Sequence, residues 1–371
     1  MPNRFADRPV RNKPRGRYSD HDRVSGNISG EIPGEDRIIE RIRRHIPSAA
    51  HGALRLGIGD DAAIVRPGPG HEFVVTCDQF LENTHFVVPA YPAHAVGYKA
   101  LARATSDLAA MGARPSVFLL SLALPASRSG AWLDMIIAGM GQAAQEFGLT
   151  LAGGDTARSL GPHAATTFSI TVIGEMEAGR AVRRDGARRG DAIFVTGVLG
   201  AAQLGLTLLL DAARKKRAIA SRWKPLLTPQ LYPKPCIELG RWLARERLPS
   251  AMMDLSDGLS TDLSRLCRAS GVGARLYDKA IPCAAVPEEV SRVFRKKVDP
   301  LELAFHGGED YGLLFTVRSN RASRMPAVFR GVRITRIGEI VPGRGIVVVS
   351  RSGRLRRLAS AGWDHFRLSG H

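Results

Sequence analysis

The chain has few cysteines, no long apolar run and far fewer acidic than basic residues. Its four cysteines include no Cys-x-x-Cys pair, so neither a zinc ribbon nor a disulfide framework is predicted, and reduced thiols are expected. The longest apolar runs, near Val117–Leu124 and Leu204–Leu210, are too short to span a bilayer. We therefore expect a soluble, cytoplasmic protein with no membrane partner.

The deficit of acidic residues leaves a strong positive charge. Fifty-three Lys and Arg residues stand against 35 Asp and Glu, which gives a formal net charge of +18. Such a charge favours acidic partners such as nucleotides or nucleic acid, or it reflects a solvated basic surface. Residues 1–34 are rich in Arg, Pro, Gly, Asp and Ser and lack apolar periodicity, so we predict a basic disordered arm there.

Two common nucleotide-binding motifs are missing. No Gly-x-x-x-x-Gly-Lys-Ser/Thr string occurs, which excludes a P-loop, and no set of protein-kinase motifs is present. The string from Gly57 to Ala62 imitates a dinucleotide fingerprint, but Asp60 and Asp61 fall inside it, where they would repel a pyrophosphate. That motif also requires a helix after it. We reject a dinucleotide site there.

The remaining sequence alternates between helical and strand periodicity. Helices are predicted at Glu35–Ile46, His94–Ala110, Ala131–Phe147, Ala201–Ala213, Pro235–Glu246 and Leu259–Ala269. Strands are predicted at Phe73–Cys77, Ser116–Leu124, Thr166–Glu175, Ala192–Thr196, Ala251–Asp254, Tyr311–Val317 and Val332–Ile340. This alternation over 371 residues predicts an α/β (α+β) fold with two domains. The Arg- and Gly-rich stretch Gly179–Asp191 suggests domains at residues 35–178 and 179–371.

Six short segments combine turn-forming residues with carboxylates, each predicted at the end of an apolar element. They are Gly57–Asp61, Thr76–Asp78, Ser106–Asp107, Gly153–Thr156, Asp254–Gly258 and Gly307–Tyr311. Taken singly, each is typical of a turn or a helix cap, and Ser256 or Asp257 is a candidate cap for the following helix. Six such segments in a strongly basic chain indicate that acidity is concentrated at particular places.

Carboxylates gathered in one cleft repel each other unless a cation lies among them. Mg²⁺ prefers hard oxygen ligands, usually one or two carboxylates, and completes its coordination with water and phosphate oxygens. Many carboxylates therefore predict several Mg²⁺ ions that share phosphates. The sequence favours a magnesium-dependent enzyme that handles the phosphates of ATP.

In their order along the chain, these segments resemble the motifs of bacterial thiamine-monophosphate kinases. The similar segments are GIGDDAAIV, TCDQFLENTHF, SDLAAMGARP, GGDT, MDLSDGLSTDL and HGGEDYGLLF, and the resemblance runs from about Arg37 to Phe366. It implies an aminoimidazole ribonucleotide synthetase-like architecture, with mixed sheets covered by helices and a cleft between two domains. It also implies a homodimer packed through the N-terminal domains, and phosphorylation of thiamine monophosphate to thiamine diphosphate by ATP.

The resemblance further implies roles for individual residues. Magnesium ligands are expected at Asp61, Thr76, Cys77, Asp78, Asp107, Asp155, Asp254 and Asp257, of which Asp61, Asp78, Asp155 and Asp257 are also expected to be catalytic. Nucleotide contacts are expected at Phe147, Gly154, Asp155, Arg184 and Ser256. Contacts with thiamine monophosphate are expected at His85, Glu309 and Trp363. Since a thiol is a poor Mg²⁺ ligand, the backbone carbonyl of Cys77 is the group that would serve.

Two alternatives remain at this point. Another ATP-using synthetase of the same superfamily is one, although the reactive Cys and Lys that selenophosphate synthetases carry near their N-terminus are absent. A basic nucleic-acid-binding protein is the other, based on charge runs such as Arg214–Arg217 and Arg292–Lys297. No known nucleic-acid motif interleaves aromatic residues with these charges, so nucleic acid is not the expected partner.

Overall fold

The computed structural model of the chain describes residues 35–58, 62–161, 164–293 and 298–363. The predicted arm (residues 1–34) and the predicted ligand Asp61 lie outside the described residues. In those ranges the helices are α1 (Glu35–His45), α2 (Ala93–Met111), α3 (Ala131–Phe147), α4 (Ala201–Arg214), α5 (Thr228–Leu231), α6 (Ile237–Arg245), α7 (Leu259–Ser270), α8 (Glu288–Val293) and α9 (Pro300–His306). The strands are β1 (Leu54–Leu56), β2 (Ile64–Val65), β3 (His71–Leu81), β4 (Arg114–Leu124), β5 (Thr150–Arg158), β6 (Thr167–Glu177), β7 (Ala192–Thr196), β8 (Pro249–Asp254), β9 (Gly273–Tyr277), β10 (Leu313–Val317), β11 (Val328–Phe329), β12 (Val332–Val341), β13 (Gly345–Val349) and β14 (Leu355–Leu358).

Four long strands form the first sheet, in the order β3-β6-β4-β5. Strand β6 is antiparallel to both β3 and β4, and β5 runs parallel to β4. Helix α2 packs on one face of this sheet, and α3 packs against α2. Buried side chains such as Leu120, Phe168 and Ile170 belong to the core on that side. The opposite face bears Val75, whose exposed fraction is 59%.

The second sheet has eight strands, in the order β14-β13-β9-β12-β7-β10-β8, with β11 paired to β12. Its central strand β7 sends Ile193 and Val195 into the core that contains α7 residues, and Phe194 into the opposite core with α6 residues. Because helices cover both faces, every residue of β7 is buried. A small antiparallel pair, β1 with β2, completes the described sheets.

Helix α2 lies between the two sheets and contacts β3, β6, β8 and α6. Fourteen of its 19 residues are buried. Its many alanines have high helix propensity, and their short side chains allow neighbouring elements to pack closely. A methyl group on Gly97 would overlap the carbonyl oxygen of Ile136 in α3, so α2 and α3 pack backbone to backbone. The helix ends at Gly112, whose left-handed φ of 81° suits a glycine C-cap. Helix α2 therefore joins both halves of the molecule.

The predicted α/β (α+β) class is confirmed, and each predicted helix and strand is found with ends shifted by a few residues. The prediction that every carboxylate segment ends an apolar element was wrong for three of them, and one of these, Ser106–Asp107, lies inside α2. Thr76–Asp78 lies inside β3, where it pairs with β6, and Gly153–Thr156 lies inside β5, where it pairs with β4. Strand β2, not a helix, follows Ala62, which agrees with rejecting a dinucleotide site. No helix among the described residues is long and apolar enough to cross a membrane.

Candidate active site

A cavity of about 1040 Å³ lies beside α2 and takes its walls from both halves of the chain. Strand β3 and α2 contribute one wall, and the loops after β8 and α9 contribute another. Eight predicted site residues line it: Asp78, His85, Asp107, Asp254, Ser256, Asp257, Glu309 and Trp363. Residues far apart in the sequence are thus brought to one place, as a shared binding site requires.

The charge lining this cavity is opposite in sign to that of the whole protein. Its described lining includes seven carboxylates, Asp78, Asp107, Asp254, Asp257, Asp299, Glu302 and Glu309, and Arg103 alone among lysines and arginines. The formal net charge of the chain is +18. The predicted concentration of acidity is therefore seen in the structure, and a bare polyphosphate would meet repulsion in the cavity.

Asp78 and Asp107 face each other from β3 and α2. Thr76 donates a hydrogen bond of 2.5 Å to Asp107, and Arg103 Nε donates one of 3.2 Å to Asp78. Burial raises the pKa of Asp107, and the nearby Asp78 charge adds to that rise against the lowering effect of Thr76. The position of Asp107 therefore favours the arrival of a cation.

Asp254, at the end of β8, is the third carboxylate of this group. Its pKa lies well above the usual value, first because it is buried and then because Asp107 and Asp262 repel its charge. Ser106 on α2 donates a 2.8 Å hydrogen bond to Asp254 and partly offsets this effect. The contact also connects α2 with the second sheet.

These oxygens fit Mg²⁺ by chemistry, because carboxylates that repel one another in a buried cluster are stabilised by a hard cation. Among the described residues, no three His, Cys, Asp or Glu side chains already form a metal-holding group. Hydrogen bonds to Thr76, Arg103 and Ser106 occupy oxygens of the three carboxylates. The predicted ligand Asp61 is not among the described residues.

The loops after β8 and α9 hold each other through their backbones. Glu309 N donates to Ser256 O at 2.8 Å, and Tyr311 N donates to Leu255 O at 2.9 Å. Glu309 has a left-handed φ of 68°, a conformation that non-glycine residues keep only when the surroundings enforce it. A methyl group on Gly308 would come within 2.7 Å of Ser256 O. The two loops therefore form one rigid wall.

Asp257 is not the cap of α7, and neither is Ser256. The N-cap is Gly258, and no side chain caps the helix there. Instead the Asp257 backbone N–H donates to Asp262 at 3.0 Å, and the Asp257 carboxylate pairs with Arg265. Neither Ser256 nor Asp257 is used as a helix cap, and both residues line the cavity.

His85 and Trp363, two of the residues expected to contact thiamine monophosphate, both line the cavity. The Leu81 backbone N–H donates to His85 Nδ1 at 2.9 Å, so the neutral ring carries its proton on Nε2. Trp363 keeps 46% of its surface exposed, and its backbone N–H donates to Asp257 O at 3.1 Å. An exposed indole face beside carboxylates suits a cationic ring.

Two predicted residues, Cys77 and Asp155, point to the other face of the first sheet. Thr76 and Asp78 contact α2, so Cys77 between them points the opposite way, where its Sγ lies 3.6 Å from Ser169 Oγ. The register β3–β6–β4–β5 puts Asp155 on that same side. Asp155 and Gly154 line a second cavity of about 820 Å³. Within one chain, Asp155 therefore does not join the carboxylates of the first cavity.

Two predicted nucleotide contacts line neither cavity. Phe147 is buried at the end of α3 and packs edge-on against Tyr98, with ring centroids 5.6 Å apart. Arg184 is exposed, although its charge acts to lower the pKa of Asp107. Arg184 therefore lies close enough to the acidic group to influence it.

The sequence reasoning missed Lys99 and Arg103. Both project from α2 toward the cavity wall, where Lys99 pairs with Glu309 at 2.9 Å and Arg103 with Asp78 at 3.2 Å. The available signal was the four-residue spacing of Lys99, Arg103 and Asp107, which places three charges on one face of a helix with no other Lys, Arg, Asp or Glu.

Comparison with known proteins gives consistent matches over nearly the whole described chain. Residues 59–176 match the model of the N-terminal domain of AIR synthase related proteins, and residues 188–351 match that of the C-terminal domain. The thiamine-monophosphate kinase of Escherichia coli K12 is 36% identical over 342 residues, covering 91% of this chain and 98% of that protein.

Comparison with solved structures gives matches to the same kind of protein. The thiamine-monophosphate kinase of Stenotrophomonas maltophilia K279a superposes with a TM-score of 0.70 at 34% identity, covering 84% of this chain and 94% of that chain. The structure of AaThiL complexed with AMPPCP and TMP also has a TM-score of 0.70, at 32% identity, and covers 83% and 92% of the two chains.

Proposed function

The chain belongs to the thiamine-monophosphate kinase family, and we propose that it transfers the γ-phosphate of ATP to thiamine monophosphate, giving thiamine diphosphate and ADP. The observation that carries this proposal is the acidic cavity, in which seven carboxylates from both halves of the chain meet a single arginine. The relative AaThiL, complexed with AMPPCP and TMP, supports both substrates. A cytoplasmic location is proposed with the same activity.

The acceptor needs no general base. A phosphate monoester has a second pKa of about 6, so its attacking oxygen is already largely ionised at neutral pH. The task of the protein is to hold two polyanions in line and to exclude water. His85, Glu309 and Trp363 are proposed to bind the acceptor, and their positions in the cavity wall support this role.

Several Mg²⁺ ions are proposed as cofactors, held by Asp78, Asp107 and Asp254 with Asp257 nearby. When bound, Mg²⁺ supplies positive charge that neutralises the phosphates during in-line transfer. Thr76 and Ser106 orient two of these carboxylates through hydrogen bonds of 2.5 and 2.8 Å. Arg103 holds Asp78.

Asp155, Gly154, Cys77, Phe147 and Arg184 remain proposed nucleotide or metal residues. For Asp155 and Gly154 the second cavity is the relevant place, and it lies on the face of the first sheet that points away from α2. We propose that a homodimer forms through this face, which exposes Val75 by 59%. The proposed domains, residues 35–178 and 179–371, would then each contribute to the site.

The test is a turnover assay with purified protein, ATP, Mg²⁺ and thiamine monophosphate, followed by chromatography of the thiamine phosphates. We expect thiamine diphosphate in amounts equal to the ADP formed, and loss of at least about 10²-fold in kcat for Asp78→Asn. Product from a different acceptor alone would contradict the substrate and favour another ATP-using synthetase.

The same assay distinguishes the two cavities. If Asp155 serves the reaction from the second cavity, Asp155→Asn loses turnover as Asp78→Asn does. Full activity of Asp155→Asn would remove Asp155 from the proposed metal ligands while leaving the first cavity as the active site.

A further inference from the structure

Two fully buried residues that do not line the cavity contact the Glu309 carboxylate. Lys99 Nζ lies 2.9 Å from Glu309 Oε2, and Gln230 Nε2 donates to the same oxygen at 2.6 Å. Lys99 and Gln230 are both 0% exposed, and neither lines the cavity. Gln230 also donates to the hydroxyl of Tyr91 at 2.6 Å. Their contact with the cavity is therefore indirect, through Glu309 and Tyr91, both of which line it.

The charge of Lys99 has Glu309 as its counter-ion. Burial lowers the pKa of the Lys99 amine, and the Glu309 charge acts in the opposite direction. For Glu309, burial opposes ionisation, yet Lys99, Gln230 and Arg103 outweigh it, and the pKa of the carboxyl is lowered. A buried ion pair keeps both charges only while both partners are present. Lys99 thus keeps Glu309 ionised.

The side chain of Glu309 is oriented as well as charged. Its backbone is held by Ser256 O and has a φ of 68°, while both buried donors take Oε2. Among the described residues, none makes a hydrogen bond to Oε1. Since 21% of the Glu309 side chain is exposed and Glu309 lines the cavity, Oε1 is the oxygen available to a ligand.

We propose that Lys99 and Gln230 are positioning residues, which fix Glu309 as an ionised carboxylate with one oxygen presented to the cationic ring of the acceptor. This inference rests on the proposed function. It adds that the acceptor must carry a cation or a hydrogen-bond donor next to its phosphate, and that Lys99 acts on acceptor binding without touching the acceptor.

The test compares Lys99→Met, Gln230→Leu, Glu309→Gln and the double variant Lys99→Met/Glu309→Gln. We expect Lys99→Met to raise the KM for thiamine monophosphate at least tenfold and to leave the KM for ATP within twofold. Gln230→Leu is expected to shift the same KM in the same direction by a smaller factor. Because Lys99 acts through Glu309, adding Lys99→Met to Glu309→Gln is expected to change that KM by less than twofold.

The matched control is Lys234→Met, which makes the same chemical change in an exposed ion pair of 3.2 Å with Glu146. Its two KM values are expected to equal those of the wild type. Thermal unfolding and ATP binding are measured on every variant. If Lys99→Met does not fold, Gln230→Leu still decides the question, because an unchanged acceptor KM in that variant overturns the proposal.

Additive effects in the double variant, or equal changes in both KM values, would also overturn the positioning role. A wild-type protein that does not phosphorylate thiamine monophosphate would instead reject the proposed function. The two failures are therefore distinguishable.

Discussion

Asp310 shows at the residue scale how a buried carboxyl can hold a loop. It is adjacent to Glu309 and accepts backbone hydrogen bonds from Gly200 at 2.7 Å and Ala202 at 3.2 Å, at the start of α4. Burial raises the pKa of Asp310 to about 7, although these donors favour the ionised form. The carboxyl that anchors the loop is therefore held at a buried position that disfavours its ionised form.

We expect Asp310→Asn to change the pH dependence of stability. A folded-state pKa above the unfolded value of about 3.9 means that the folded state binds the proton more tightly between these values. The free energy of unfolding of the wild type should therefore fall, relative to the variant, as pH rises from about 4 to about 7, by up to about 1.4 kcal/mol per pH unit. Urea unfolding of both proteins across this range measures it, and parallel curves would contradict the prediction.

At the scale of elements, the close contact between α2 and α3 fixes the position of α2. Gly97 and Gly139 each lie against a backbone carbonyl, that of Ile136 and that of His94 respectively, with no room for a methyl group. Helix α2 also carries Lys99 and contacts both sheets. Any change in its position would therefore move the cavity wall.

Gly97→Ala should destabilise the protein by about 1–3 kcal/mol, because the added methyl group forces the two helices apart. It should also raise the KM for the acceptor, since Lys99 is two residues further along α2. Gly130→Ala is the control, because no atom lies within 4 Å of the added carbon. The Tm values of the wild type and both variants are measured by calorimetry. An unshifted Tm for Gly97→Ala would refute the close packing of α2 and α3.

The helices and long strands could be predicted from the sequence because their periodicity is local. Strand β5 could not, since Gly153 and Gly154 are typical of turns and only pairing with β4 makes them extended. Strands β9, β13 and β14 were also missed, because they are short, and β9 and β13 pair with each other across a long stretch of chain. Five of the seven acidic residues of the cavity were predicted from their motifs, whereas Asp299 and Glu302 lie in no such motif. The four-residue spacing of Lys99, Arg103 and Asp107 marks a charged face of α2, but the contacts of Lys99 and Gln230 with Glu309 exist only in the folded chain.

At the scale of the whole molecule, the face of the first sheet that points away from α2 is only partly covered, since β1 and β2 pack on part of it. It carries Val75 with 59% exposure, and Asp155 and Cys77 lie on the same side. Large exposed aliphatic side chains on a sheet face are typical of an interface between subunits. The proposed homodimer would cover them.

Val75→Glu should therefore convert the protein from dimer to monomer, because a charge would be buried without a partner. Sedimentation equilibrium of both proteins provides the measurement. Leu355→Glu is a matched control, since Leu355 is 64% exposed on edge strand β14 of the other sheet. A wild-type monomer, or a Val75→Glu dimer, would contradict the proposed interface.

The acidic cavity within a basic protein has a consequence for the form in which the nucleotide enters. At long range the +18 charge attracts nucleotide anions, and this attraction weakens as ionic strength screens it. At short range seven carboxylates reverse the sign of the field. A nucleotide already complexed with a divalent cation passes from the attractive field into the cavity more easily than the free anion, so the enzyme filters its own substrate by charge state.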